Sequence, residues 1–372
     1  MIFHKKVLFF VVLSLLLLGL AACNDPATNV NEDADTSSET KTEDTSNSEE
    51  TIELVVNSWF ASNAQLAQNV WVPWEEYVEE ETDGRVEVTV HFNGALGDST
   101  TVLEDVKSGL YDVGMALTMY HQDIELFPAT IGDLPFAGED PTLSSYIMQE
   151  FTKKYEDMIW EDVVPMGVGA PPPRYLYSTS PIESPEHLSN IPTRVSGELD
   201  ALMIQNMGGV PTEVAFEELY NSLDKGIIEA YISTHDVFTG LSLYDVSPNF
   251  LDQPITFTQA SGVMNQDFYQ SLPDDLQTLF DEKLNPKWEE LFVENSRKVM
   301  DTNDEVIQQA EEAGGEVTTF TDEDLLTLQS TAIPVWEEWI EMANSKGYAG
   351  EEMMEEYVNI SRENGVELEF LD

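Results

Sequence analysis

Residues 52–116 read IELVVNSWFASNAQLAQNVWVPWEEYVEEETDGRVEVTVHFNGALGDSTTVLEDVKSGLYDVGMA, and their rhythm decides the fold class. Ile52-Glu53-Leu54-Val55-Val56 alternates and is β-branched, the pattern of a strand. From about Leu66 to Glu81 the apolar positions Val70, Trp74, Tyr77 and Val78 recur at helical spacing, and Thr82-Asp83-Gly84 stops them. Val86, Val88 and Val90 alternate as a second strand. The turn Asn93-Gly94-Ala95-Leu96-Gly97 leads to a second helix over Ser99 to Ser108, and Tyr111 to Ala116 forms a third strand. Strand, helix, strand, helix, strand calls for parallel pairing with helices on the sheet faces, an α/β lobe.

The same alternation returns further along. Thr193-Arg194-Val195 reads as a strand, Leu199 to Met207 as a helix and Pro211 to Val214 as a strand; Glu217 to Leu223 is helical up to Gly226, and Ile227 to Ile232 is extended. Two α/β units in a chain longer than a typical single domain predict two lobes. From Pro273 to about Ala313 the pattern is helical, with an expected break near Pro286, and another helix is expected over Asp322 to Ser345. The predicted division is residues 52–171 with about 260–295 in one lobe, and 172–259 with about 296–372 in the other.

Upstream of the first strand the chain is of a different kind. His4, Lys5 and Lys6 precede Val7 to Leu20, an uncharged apolar run. It is shorter than the roughly 20 residues a bilayer span takes and matches the core of a signal peptide. The run ends in Leu20-Ala21-Ala22-Cys23, which resembles a bacterial lipobox: residues 1–22 would be removed and Cys23, the chain's only cysteine, would carry diacylglycerol. Two acyl chains suffice for stable anchoring to the outer face of the cell membrane. Without a second cysteine the mature chain has no internal disulfide to rely on. Residues 23–50 are almost wholly polar and acidic, a composition expected to remain a disordered tether.

The chain has 71 acidic and 16 basic residues, a formal net charge of −55. Nucleic acid is excluded as a partner, since neutralising phosphates requires Lys and Arg; the bland meaning of so acidic a surface is solvation in a salty medium. The five histidines, His4, His91, His121, His187 and His235, stand singly, with no metal-ligand spacing among them. Neither a nucleophile elbow nor a phosphate-binding loop is present. Nothing argues for catalysis, a metal or a cofactor.

Arginine is the informative residue type. Of the five, Arg174 lies in Pro171-Pro172-Pro173-Arg174-Tyr175-Leu176-Tyr177 and Arg194 in Ile191-Pro192-Thr193-Arg194-Val195, both otherwise apolar. A guanidinium in such surroundings needs an anionic, hydrogen-bonded partner to offset its desolvation. Its planar fork fits a carboxylate bidentately. A structural salt bridge to one of the abundant Asp or Glu side chains meets that need as well as a ligand does, and composition alone favours the salt bridge.

The order of the motifs adds to this. Gly84-Arg85-Val86-x-Val88, Gly94-Ala95-Leu96-Gly97, Gly109-x-Tyr111-Asp112-Val113-Gly114 and Leu134-Pro135-Phe136 come first. Arg174, Arg194-Val195-x-Gly197, Met207-Gly208-Gly209-x-Pro211, Glu218-x-Tyr220 and Gly226-Ile227-Ile228-Glu229 follow. From about Ile52 to Ala343 the chain resembles the DctP-type solute-binding proteins of tripartite ATP-independent periplasmic (TRAP) transporters. The resemblance implies a periplasmic-binding-protein-like α/β fold of two lobes with hinge strands and a long helix spanning both. It also implies capture of a small organic acid and delivery to the small and large membrane subunits of an ion-driven permease. The family's ligand-pairing arginine falls on Arg194 and a second ligand-facing arginine on Arg174. Where many members carry an asparagine contact this chain has Ser233, shorter but still a donor. Phe216 matches an aromatic near the ligand, with a core position as the alternative. Asn57, Trp59, Asp98 and Tyr120 lie in or near loops after strands, where open α/β sheets bind ligands. A receptor for an ATP-driven transporter, a receptor reporting to a sensory kinase and a secreted enzyme on a carboxylated substrate remain the alternatives.

Overall fold

The computed structural model describes residues 51–122, 125–138 and 140–371. The expected signal peptide, Cys23 and the acidic segment to Glu50 lie outside the described residues. The strands are β1 (Ile52–Asn57), β2 (Val86–His91), β3 (Val113–Leu117), β4 (Val163–Gly169), β5 (Tyr175–Ser178) and β6 (Pro192–Val195). They continue as β7 (Val210–Glu213), β8 (Ala230–Ser233), β9 (Asn249–Leu251), β10 (Ala260–Asn265) and β11 (Val317–Thr318). The helices that matter here are α1 (Val72–Glu81), α2 (Val102–Lys107), α3 (Pro141–Lys154), α4 (Glu198–Asn206) and α5 (His235–Gly240). After them come α6 (Asn285–Met300), α7 (Asn303–Glu312), α8 (Ile333–Ser345) and α9 (Gly350–Glu363).

The strands form two sheets, ordered β2-β1-β3-β10-β4 and β11-β9-β5-β8-β6-β7. As the opening stretch predicts, β1 pairs in parallel with both β2 and β3, through α1 and α2 as crossovers. In the second sheet β6 lies parallel to β7 and β8. The sequence pattern did not reveal β10, which returns from the second sheet and inserts antiparallel between β3 and β4. Every residue of β10 is buried, so it shows no two-residue alternation from which to read a strand.

Two segments connect the sheets, and they are bonded to each other. Residues 170–174 lead from β4 to β5, and residues 252–259 from β9 to β10. Arg174 N donates to Thr256 O at 2.8 Å and Ile255 N to Arg174 O at 2.9 Å. Beside them Asp133 is buried; its carboxylate accepts from the Thr118 hydroxyl and the Gln259 N–H (2.7 Å). Burial pushes the Asp133 carboxyl up to about 8, against those hydrogen bonds and the Arg174 charge.

The C-terminal helices brace both sheets. Trp288 and Phe292 of α6 pack in the core of the first sheet, whereas Val306 and Ala310 of α7 belong to that of the second. The helix does not break near Pro286, contrary to the sequence expectation. Pro286 comes immediately after a π-helical turn over Phe280–Leu284, where Asn285 N bonds Phe280 O, and this wider turn accommodates the N–H that proline lacks. The helix is interrupted instead at Asp301 and Thr302, between α6 and α7. The helix expected over Asp322 to Ser345 is likewise two helices, Asp322–Ser330 and α8, with Pro334 opening α8. From α8 and α9, Trp336 Nε1 bonds Pro135 O (3.0 Å), Trp339 Nε1 bonds the Thr130 hydroxyl (2.9 Å), and Tyr357 OH bonds Ala137 O (3.2 Å). Both helices share one apolar core with β6, α4 and β8.

Candidate ligand-binding site

A cavity with walls from both sheets lies against the connecting segments. It leaves about 90 Å³ of room for the centres of water-sized spheres, where roughly 10–15 Å³ already holds a water. Trp59, Tyr120, Arg174, Arg194, Phe216 and Ser233 all line it, six of the eight ligand-facing residues expected from the sequence. The other two are placed elsewhere. Asn57 is wholly buried at the end of β1. Its Nδ2 donates to Gly97 O (3.0 Å) and its Oδ1 accepts from Leu96 N (3.2 Å), so the amide holds the Gly94–Gly97 turn and is not part of the cavity wall. Asp98 lines an adjoining opening with Tyr120, Arg194 and Phe216. The Thr100 hydroxyl and N–H hold its carboxyl below the usual range.

The two arginines are satisfied differently. Arg174 is 5% exposed, and its fork is closed by Asp200 of α4: Nη1 to Oδ1 at 3.0 Å and Nη2 to Oδ2 at 2.8 Å, with Nη2 also reaching Ile232 O at 3.2 Å. Burial alone would push the Asp200 carboxyl up, but Arg174, the Arg194 charge and the Ser196 N–H together hold it below its ordinary value. The salt-bridge reading therefore holds for Arg174, although its side chain also borders the cavity.

Arg194 has no such partner. It is 6% exposed on β6, yet makes no ion pair among the described residues. Its Nε donates to Val214 O (3.1 Å) and its Nη1 to the Ser196 hydroxyl (2.6 Å), both neutral acceptors. Among the described residues Nη2 has no acceptor. A nearly buried guanidinium so placed keeps unspent capacity for an anion.

The rest of the wall is aromatic and sparsely polar. Trp59 meets Tyr120 and Phe216 edge-on, with centroids 6.4 and 6.2 Å away, and stacks on Phe60 at 3.9 Å. Ser233 follows Ile232 on β8 and borders the cavity, its hydroxyl without a partner among the described residues. Across the mouth, Glu198 N donates to Gln122 Oε1 (2.8 Å), joining the loop after β3 to the start of α4. A Cβ on Gly197 would stand 2.7 Å from Met119 O, so this approach requires glycine.

Several lining residues were missed from sequence: Thr258, Asp236, Asn295 and Ser296. Asn295 and Ser296 interrupt the buried stripe Trp288, Leu291, Phe292 and Val299 of α6, and that interruption was a usable signal. Asn295 Oδ1 accepts from Asn69 Nδ2 (2.9 Å), an orientation in which its NH₂ is left for the cavity. Asp236 carries no comparable mark among 71 acidic residues. Its neighbour His235 is anchored at the start of α5: the ring stacks on Tyr175 (4.1 Å) and bonds Tyr177 OH (2.5 Å) and Asn303 Oδ1 (2.8 Å). Burial lowers the His235 pKa to about 4, so that the ring is neutral.

Among the described residues no group of His, Cys, Asp and Glu could hold a metal ion, and no helix is long and apolar enough to cross a membrane.

Known proteins share this architecture. A solute-binding protein of Chromohalobacter salexigens is 31% identical over 177 residues, 46% of this chain and 52% of that protein. The ectoine-binding periplasmic protein TeaA of Halomonas elongata is 26% identical over 297 residues, 76% of this chain and 82% of its own. The chain thus spans about half the length of the first relative and most of the second. In structure, a TRAP solute-binding protein of Rhodoferax ferrireducens in complex with copurified benzoate superposes with a TM-score of 0.76 at 17% identity, covering 84% of this chain and 98% of that one. The two-lobed α/β fold is common to both. Residues 57–342 match the model of bacterial extracellular solute-binding protein family 7, DctP, and the chain belongs to that family.

Proposed function

We propose that this protein is the extracytoplasmic receptor of a TRAP-type transporter, that its cavity takes a small organic carboxylate, and that it hands this ligand to a membrane permease. Arg194 carries the reading: a guanidinium nearly shut off from solvent, lining a cavity, with neutral acceptors on two of its groups and no carboxylate of its own. A ligand carboxylate supplies the missing partner, with Ser233 and Asn295 as further donors and Trp59 and Phe216 as apolar walls. Arg174, already paired with Asp200, borders the carboxylate and orients the wall. Family membership supports the receptor role, and the benzoate complex of the Rhodoferax protein supports an acid ligand.

Calorimetric titration against a panel of organic acids tests the assignment. Arg194→Ala is expected to lose about 2–5 kcal/mol of binding to whichever acid the native protein takes, the cost of breaking a buried charge pair. Unchanged affinity sinks the reading. The lipobox adds that Cys23 tethers the receptor beside its permease; recovery in the membrane fraction, abolished by Cys23→Ser, is the expected sign. A Cys23→Ser chain that stays with the membrane as before contradicts the tether.

A further inference from the structure

Asp236 is the feature of the cavity that a simple anion leaves unexplained. It lies in the first turn of α5 and lines the cavity together with Arg194. Its Oδ1 is buried and has no hydrogen-bond partner among the described residues. No cation pairs with it among the described residues, and it does not pair with Arg194. Only the Thr234 hydroxyl and the N–H groups of Asp236 and Val237 favour its charge, while burial works against that charge and pushes the carboxyl up. A buried polar atom left unsatisfied is costly.

Charge bookkeeping in the cavity points the same way. Arg174 and Asp200 cancel one another directly. That leaves one positive group, Arg194, and one acidic group, Asp236, each wanting a partner the protein does not supply. A ligand carrying only a carboxylate satisfies the first and buries its own charge in company with the second. A ligand with both signs satisfies both, and as a neutral whole it enters without net charge.

The walls near Asp236 suit a cation. Trp59, Phe60 and Phe216 line a second opening with Asp236, and Trp59 and Phe216 meet edge to face. Aromatic faces attract ammonium groups, most strongly where water is excluded, and a carboxylate beside them completes the cage.

We propose that the ligand is a zwitterion, its carboxylate held by Arg194 and its cationic nitrogen by Asp236 against the Trp59 and Phe216 rings. The proposal rests on the carboxylate reading of Arg194 and specifies the other end of the same molecule.

The test uses matched pairs of acids that differ at one end. Butanoate is set against 4-aminobutanoate and 4-(trimethylammonio)butanoate, and the three- and five-carbon acids against their ω-amino and ω-trimethylammonio forms. Binding to the purified mature protein is followed by calorimetry. At least one zwitterion is expected to bind about tenfold or more tightly than its carboxylate-only counterpart. Asp236→Asn is expected to collapse that ratio towards one, and Asp236→Glu to retain part of it. The wild-type ratios decide the matter even if Asp236→Asn fails to fold. A panel in which no zwitterion exceeds its counterpart, including one in which nothing binds, overturns the proposal, as does a preference that survives Asp236→Asn. Carboxylate-only acids that bind through Arg194 with no zwitterion preference overturn this inference alone; acids whose binding ignores Arg194 overturn the carboxylate reading beneath it.

Discussion

Asp200 receives both terminal nitrogens of Arg174 and the Ser196 N–H (3.1 Å), and it stabilises the fold through a charge that burial alone would disfavour. Its folded pKa lies below its ordinary value, so the native state holds the proton less tightly than the unfolded chain. The stability from this group is therefore fully present above the unfolded pKa near 3.9 and is lost as pH falls through the lower folded value. Asp200→Asn leaves Arg174 buried without its anion, a change that costs roughly 3–5 kcal/mol. Urea denaturation at pH 7, 4 and 3 is expected to show that deficit at pH 7 and a narrowing gap on acidification, as the wild type loses what the variant lacks. A gap of constant size would mean that Asp200 holds its proton equally in the folded and unfolded states, against the lowered folded pKa. Arg194 contrasts with this arrangement: the same desolvation argument singled out both arginines in the sequence, but which of them had a protein partner depended on a helix, α4, that brings Asp200 under Arg174.

At the scale of elements, the sequence was most legible where one face of a strand or helix is wet. β1, β2 and α1 carry alternating or helical periodicity because each has a buried and an exposed side, and the parallel pairing of β1 with β2 and β3 follows from their crossovers. β10 is buried throughout and was illegible for that reason, although it joins β3 to β4 inside the first sheet and its leading segment forms half of the connection beside Arg174. The helical stretch after Pro273 was legible as helix, but its joints were not. Pro286 is accommodated by a π turn, whereas the true interruption at Asp301 and Thr302 has no proline or glycine to mark it. Site residues followed the same rule. Arg194, Trp59 and Phe216 stand out against their neighbours or match a family pattern; Asn57 also lies at a strand end, but there its amide serves the turn. Gly262 shows how tightly the result is packed: a Cβ there would stand 2.9 Å from the Trp288 ring of α6, the helix that also brings Phe292 and Asn295 to the cavity.

For the whole molecule, charge sets the terms of stability. With 71 acidic and 16 basic residues, like-charge contacts must outnumber pairs however the surface is arranged. The Glu75 carboxyl on α1 displays the strain locally, pushed up first by burial and then by Glu79 and Glu76 on the same helix. Apart from the buried Arg174–Asp200 pair, compensation comes largely from exposed pairs, such as Lys283 with Glu81 (2.6 Å) and Lys287 with Glu290 (3.1 Å), and such pairs contribute about 0–1 kcal/mol each. Salt weakens both terms, but the repulsive one is larger. Raising NaCl from about 0.01 to 1 M shortens the Debye length from roughly 30 to 3 Å, which screens every repulsion beyond immediate neighbours. The thermal unfolding midpoint is therefore expected to climb steadily across that range, most steeply at the low end, where screening changes over distances comparable with the protein itself. Calorimetric scans of the mature chain at fixed pH measure this directly. A flat or falling midpoint would mean that the attractive pairs dominate and that the acidic surface costs the fold little.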